Sequence, residues 1–203
     1  YPLTPMQEGM LLKHISEPES FAYRLVSAFE LDVLPTDGML RNALDRLAAK
    51  HEVLRTAIVY DGVRVPRQAI MERSLTLEMK DISREKNPEE ALAALREDIL
   101  THSFDLQRKP LIQFTCAKKD ESSCYLVIAV HHIIVDGWCI GLYMNDFMHY
   151  LADEIARRTP ADLDYSASYG RYEEAVREIL HKDRFKAIDY WKGLLGDYET
   201  KAQ

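Results

Sequence analysis

The residues best suited to chemistry lie together in HHIIVDG, from His131 to Gly137. Two imidazoles stand side by side, and an aspartate followed by glycine comes after three apolar residues. A neutral imidazole can collect a proton near pH 7, so either histidine could serve as a general base. A carboxylate nearby could orient such a base, form an ion pair, or cap a helix. Metal binding is a weaker reading: neighbouring ligands on opposite faces of a strand chelate poorly, and no HExxH pair occurs. Two core histidines hydrogen-bonded to backbone carbonyls are the plainest alternative. Gly137 would supply a tight turn or let a ligand approach the backbone.

Something must hold these residues in place. CYLVIAV, from Cys124 to Val130, is almost continuously apolar and is expected to form a buried strand. Side chains alternate along a strand. Leu126, Ile128, Val130 and His132 would share one face, and Tyr125, Val127, Ala129 and His131 the other. If the strand persists, the histidines point apart, and periodicity does not choose between them. PLIQFTCAKK is expected to be the partner strand, joined through the polar turn DESS. After Gly137 the period changes, which predicts a long helix from Trp138 to about Ala156.

The flanking chain mixes strands and helices. TPMQ, at Thr4 to Gln7, has the form of a capping box and predicts a helix to about Lys13. Phe21–Leu31 reads as a strand. Met39, Leu40, Ala43, Leu44, Leu47 and Ala48 recur at helical spacing, predicting an amphipathic helix that stops near His51. TAIVYDGVRVPRQAI suggests a hairpin around Asp61 and Gly62. Leu75–Met79 reads as a strand, and NPEEALAALREDIL as a helix capped by Asn87. A loop containing Pro160 would precede two helices, near Ser166–Leu180 and Arg184–Leu195. Without strict β-α-β alternation, the expectation is an α/β (α+β) sandwich, with helices on a mixed or mostly antiparallel sheet.

The chain has 203 residues, 47% hydrophobic and 29% charged, enough for a sizeable core. A net charge of −7 argues against non-specific nucleic-acid binding. No apolar run has the length of a membrane span. Cys116, Cys124 and Cys139 are not spaced like metal ligands, and are expected to be free thiols in a reducing cytoplasm. Cys116 and Cys124 could face each other across the hairpin. The sequence opens at Tyr1 without an initiator Met, so a piece of a longer protein is expected.

HHIIVDG has the HHxxxDG form, which resembles the signature of nonribosomal peptide synthetase condensation domains, members of the chloramphenicol-acetyltransferase-like superfamily. LTPMQEGML (Leu3–Leu11) resembles their first core motif and KHEVLRTAI (Lys50–Ile58) their second. YGRYEEAV (Tyr169–Val176) loosely resembles the fourth, and AIDYWKGLLGDYE (Ala187–Glu199) the stretch that closes the first lobe. The match runs in order along essentially the whole chain. Lys50, Ile58, Cys139 and Arg171 depart from the usual residues, and no function is carried onto Arg171. Both histidines are kept, unlike in heterocyclising relatives.

The resemblance implies an N-terminal lobe over residues 1–203, with the C-terminal lobe missing. It implies amide formation between a donor acyl or peptidyl thioester and an acceptor aminoacyl thioester. Upstream and downstream peptidyl carrier proteins would present both on 4'-phosphopantetheine arms, beside an adenylation domain in the same chain. No bound metal or cofactor is implied. The isolated lobe would be inactive. His132 would be the catalytic residue, as a base or as a group that holds the amine. His131 would face away and support the loop, Gly137 would place its N–H near the reacting groups, and Asp136 would pair with Arg55. Gln7 would mainly cap its own helix. The nearest alternatives are an epimerisation domain of the same fold and a non-catalytic carrier-docking module.

Overall fold

In the computed structural model, residues 1–158 and 169–196 are described. The first helix, α1 (Pro5–Ser16), begins as the sequence dictates. The Thr4 hydroxyl accepts from the Gln7 amide and the Gln7 side chain accepts from the Thr4 amide, closing a capping box. β1 (Arg24–Leu31) starts later than Phe21 because Phe21–Arg24 forms a tight turn, closed by Arg24 N–H donating to the Phe21 carbonyl at 3.2 Å. α2 (Asp37–Lys50) is capped by Thr36 and buries the predicted stripe of Leu40, Ala43, Leu44, Leu47 and Ala48. A 3-10 turn, Glu52–Arg55, leads into β2 (Thr56–Val59).

β2 pairs antiparallel with β3 (Arg67–Ile70), with Val59 opposite Arg67. Pairing therefore stops short of Asp61 and Gly62, and residues 60–66 form a long loop rather than a two-residue turn. Gly62 does adopt a left-handed φ of 69°. β4 (Thr76–Asp81) and α3 (Pro88–Thr101) follow, and the Asn87 side chain accepts from the first amides of α3. β5 (Ile112–Lys118) and β6 (Cys124–His131) form the expected antiparallel hairpin. α4 (Cys139–Ile155) comes next.

The larger sheet has the order β1-β6-β5-β4 and is mixed, because β4 runs parallel to β5. All eight residues of β6 are buried, as befits a central strand covered on both faces. One face carries Tyr125, Val127 and Ala129, with Val26 and Ala28 of β1, against Leu95 and Ile99 of α3. On the other face Phe114 meets Phe147 of α4, with ring centroids 5.3 Å apart. Each such fully buried side chain contributes about 1.5–3 kcal/mol of transfer free energy. α4 is held along α2 by polar ties as well: Arg46 pairs with Asp153 at 3.3 Å.

The last helix, α5 (Tyr169–Leu195), belongs to a separate compact unit. It is one helix where two were expected. Residues 181–184 are His, Lys, Asp and Arg, which are polar but contain no Gly or Pro to break it. The expected Pro160 loop, the helix start at Ser166 and residues 197–199 lie outside the described residues.

Candidate active site

His131 is the last residue of β6, and His132 opens a 3-10 turn, His132–Ile134. The strand therefore ends between the histidines. His131 is 2% exposed and His132 is half-buried. His131 Nδ1 accepts the Ile133 amide at 3.1 Å, which makes the ring part of the turn's own framework. Around it stand His14, Phe104 and Tyr23, with ring centroids 5.9, 6.0 and 6.4 Å away. Burial in this aromatic box, reinforced by His14 and Arg24, pushes the His131 imidazole down to about 3. A proton acceptor so weak is unsuited to base chemistry near neutrality, so the geometry favours the supporting role for His131.

The main chain around His132 is tied on several sides. Its own N–H donates to the Tyr23 carbonyl at 2.7 Å, and the Ile133 carbonyl accepts from Gln7 Nε2 at 2.9 Å. Its carbonyl accepts the Val135 amide at 3.3 Å. The His132 ring stands edge-on to Tyr23, with centroids 6.4 Å apart at 80°. Among the described residues, His132 Nδ1 is buried without a hydrogen-bond partner.

Asp136, Gly137 and Trp138 are exposed. The Asp136 carboxylate accepts the amides of Cys139 at 2.7 Å and Trp138 at 2.9 Å, so it caps the start of α4. The Cys139 amide bond, with further help from the Cys139 side chain and the Trp138 amide, holds this carboxyl below the usual range. Gly137 is not left-handed, so the expected tight turn does not depend on it. A Cβ there would meet nothing within 4 Å, leaving open space beside its backbone.

The expected ion pair between Asp136 and Arg55 is not formed. Arg55 Nε donates to the Ala48 carbonyl at 2.9 Å and Nη1 to the Met71 carbonyl at 3.0 Å. The guanidinium is drawn to a carbonyl in the last turn of α2, at the negative end of the helix dipole. Asp136 is already satisfied by α4. The second motif contributes differently: Lys50 Nζ and His51 Nε2 converge on Asp146 of α4, at 2.9 and 2.6 Å. Lys50 thus ties the end of α2 to α4.

Gln7 does more than cap α1. Its Nε2 also donates to Gln68 Oε1 at 2.9 Å, and Gln68 Nε2 donates to the Pro2 carbonyl at 2.8 Å. Both glutamines are buried, at 5% and 2% exposure. This amide chain joins the N-terminal segment, α1 and β3 to the turn after His132. The sequence did not single out Gln68 or Tyr23. β3 is RQAI, with no apolar run that would mark Gln68 as a buried polar residue, and no local signal pointed to Tyr23 either. Among the described residues, no three His, Cys, Asp or Glu side chains gather as metal ligands. No helix among them is long and apolar enough to cross a membrane.

Tyrocidine synthase 3 of Brevibacillus parabrevis is 30% identical over 203 residues, which cover 100% of this chain and 3% of that protein. Gramicidin S synthase 2 of Brevibacillus brevis is 27% identical over 203 residues, covering 98% of this chain and 4% of that protein. Among solved structures, the starter condensation domain of rhizomide synthetase superposes with a TM-score of 0.85 at 18% identity, over 98% of this chain and 48% of that one. The first condensation domain of the calcium-dependent antibiotic synthetase, in complex with a substrate analogue, gives 0.79 at 23%, over 97% of this chain and 47% of that one. The chain thus spans about half the length of these structures and under a tenth of those synthases. The family described as Condensation domain matches residues 1–203 throughout, and this chain belongs to that family.

Proposed function

We propose that this chain is the N-terminal, histidine-bearing lobe of a condensation site in nonribosomal peptide synthesis. The reaction joins a donor acyl or peptidyl thioester to the amine of an acceptor aminoacyl thioester. Both are held on 4'-phosphopantetheine arms of upstream and downstream carrier proteins. The amine nitrogen bonds to the donor carbonyl carbon, the C–S bond breaks, and the donor sulfur leaves as a thiolate that ends as a thiol. The amine gives up one proton. The lengthened chain remains on the acceptor arm.

The observation that carries this reading is the placement of His132. It leaves a fully buried strand at its open end, half-buried, on a main chain tied to Tyr23 and Gln7. A thioester is already activated, so the site's tasks are to orient the amine, steady the charge that develops, and move one proton. The imidazole of His132 can hold the amine or take its proton. The uncovered backbone at Gly137 lies in the exposed segment 136–138 that follows this turn. A second lobe would supply the other wall and exclude water, so the 203-residue chain alone is expected not to turn over.

His132→Ala in the full-length synthetase, with both carriers loaded, tests this. The rate of amide formation should fall by about 10²–10⁴-fold with the melting temperature unchanged. Near-native rates would overturn the role. Incubation with one loaded carrier in deuterated buffer separates epimerisation: exchange of the α-proton without a second carrier would overturn condensation.

A further inference from the structure

Tyr23 has a left-handed backbone, with φ 66°, a region that costs a side chain bearing a Cβ and that favours glycine or asparagine. It occupies the third position of the Phe21–Arg24 turn, where a positive φ marks a type II geometry. The turn is anchored from behind. Arg24 Nη1 donates to the carbonyls of Thr101 at 3.1 Å and Leu100 at 3.3 Å, and Nη2 to Pro18 at 3.3 Å.

The ladder between β1 and β6 pairs Arg24 with His131. The next pair would be Tyr23 with His132, and the bond from His132 N–H to the Tyr23 carbonyl is that rung. It is made although Tyr23 has already left the strand conformation. The left-handed residue thus turns the chain away from the sheet while its carbonyl still reaches the amide of His132. Strain held in place beside a functional group marks a positioning device.

We infer that Tyr23 is a positioning residue for His132, acting through its backbone conformation. This rests on the reading of His132 as the reacting group. The amide of His132 is held at the point where the strand stops, so the direction in which the imidazole leaves the sheet is set by where the Tyr23 carbonyl stands. Displacing a catalytic group by a fraction of an ångström is felt in the chemical step rather than in substrate binding.

Three substitutions in the full-length synthetase test it. Tyr23→Asn and Tyr23→Gly accept the left-handed conformation and should keep kcat within about threefold. Tyr23→Ile, β-branched, resists it and should lower kcat at least ~10-fold with KM within about twofold. Both variants lose the Tyr23 ring beside His132, so the His132 imidazole resonances should move further in the isoleucine variant than in the asparagine variant. Gly62→Ile introduces the same kind of strain in the β2–β3 loop and serves as the control for lost stability. It should leave kcat unchanged. In the His132→Ala background, Tyr23→Ile should cause no further loss. Equal losses for asparagine and isoleucine, or a native kcat for isoleucine, would overturn the inference. An active His132→Ala enzyme would instead overturn the reading beneath it.

Discussion

The side-chain amide of Gln7 donates to the carbonyl of Ile133 at 2.9 Å, across 126 positions of chain. This bond links the first helix to the turn that carries His132. A buried carbonyl left without its donor costs about 1–3 kcal/mol. Gln7→Leu removes the donor for both Ile133 and Gln68, and it opens the capping box. Urea unfolding should therefore show a loss of about 2–4 kcal/mol. Gln7→Glu should be at least as costly, because its carboxylate meets the Gln68 Oε1 acceptor. A change below about 0.5 kcal/mol in either variant would mean that the amide chain is replaced by water.

Asp136 and Arg55 serve different helices, and a double-mutant cycle should show it. Asp136→Ala removes the cap of α4, for about 0.5–2 kcal/mol. Arg55→Ala releases the carbonyls of Ala48 and Met71. With no shared partner, the two losses should add to within about 0.5 kcal/mol. A coupling above about 1 kcal/mol would restore the ion pair that the motif resemblance implies.

Local rules made much of this fold readable. The capping box at Thr4, the Asn87 cap, the stripe on α2 and the apolar run of β6 are each written in neighbouring residues. What joins distant segments was not. Asp136 resembled a partner for Arg55 because both carry charge, yet nearer backbone groups claim each of them. The split between His131 and His132 followed from strand alternation only if the strand continued. It stops between them, and burial separates them instead. Tyr23 escaped notice because a left-handed φ at tyrosine leaves no trace in composition or period. Neither did the break expected near residue 181 occur, since polarity alone does not end a helix.

The thiols give a check on the hairpin register. Lys118 lies opposite Cys124, and Cys116 opposite Leu126, so the cysteines are diagonal neighbours on one face. Both are fully buried, whereas Cys139 is partly exposed. Native protein treated with a maleimide reagent should be labelled at Cys139 alone. Burial pushes the Cys139 thiol up, so the reaction should be slow at pH 7 and faster at pH 9. Labelling of Cys116 or Cys124 before unfolding would show that the β5–β6 face is not closed.

His131 predicts how stability depends on pH. Its imidazole is held near 3 by burial in the folded protein and lies near 6.5 in the unfolded chain. Above pH 6.5 it is neutral in both states, and its contribution is fully present. As pH falls, the unfolded chain takes up the proton first, so stability declines from about 6.5 toward 3 and then levels off. The groups that face it, His14, Arg24 and His132, carry or can carry positive charge and oppose its protonation. The loss from this one ring is on the order of a few kcal/mol. His131→Asn keeps an acceptor for the Ile133 amide but cannot titrate. Urea midpoints measured between pH 7 and pH 4.5 should fall more steeply for the native protein than for this variant. Parallel slopes would mean that His131 is charged in the folded state, and that its aromatic box is open to water.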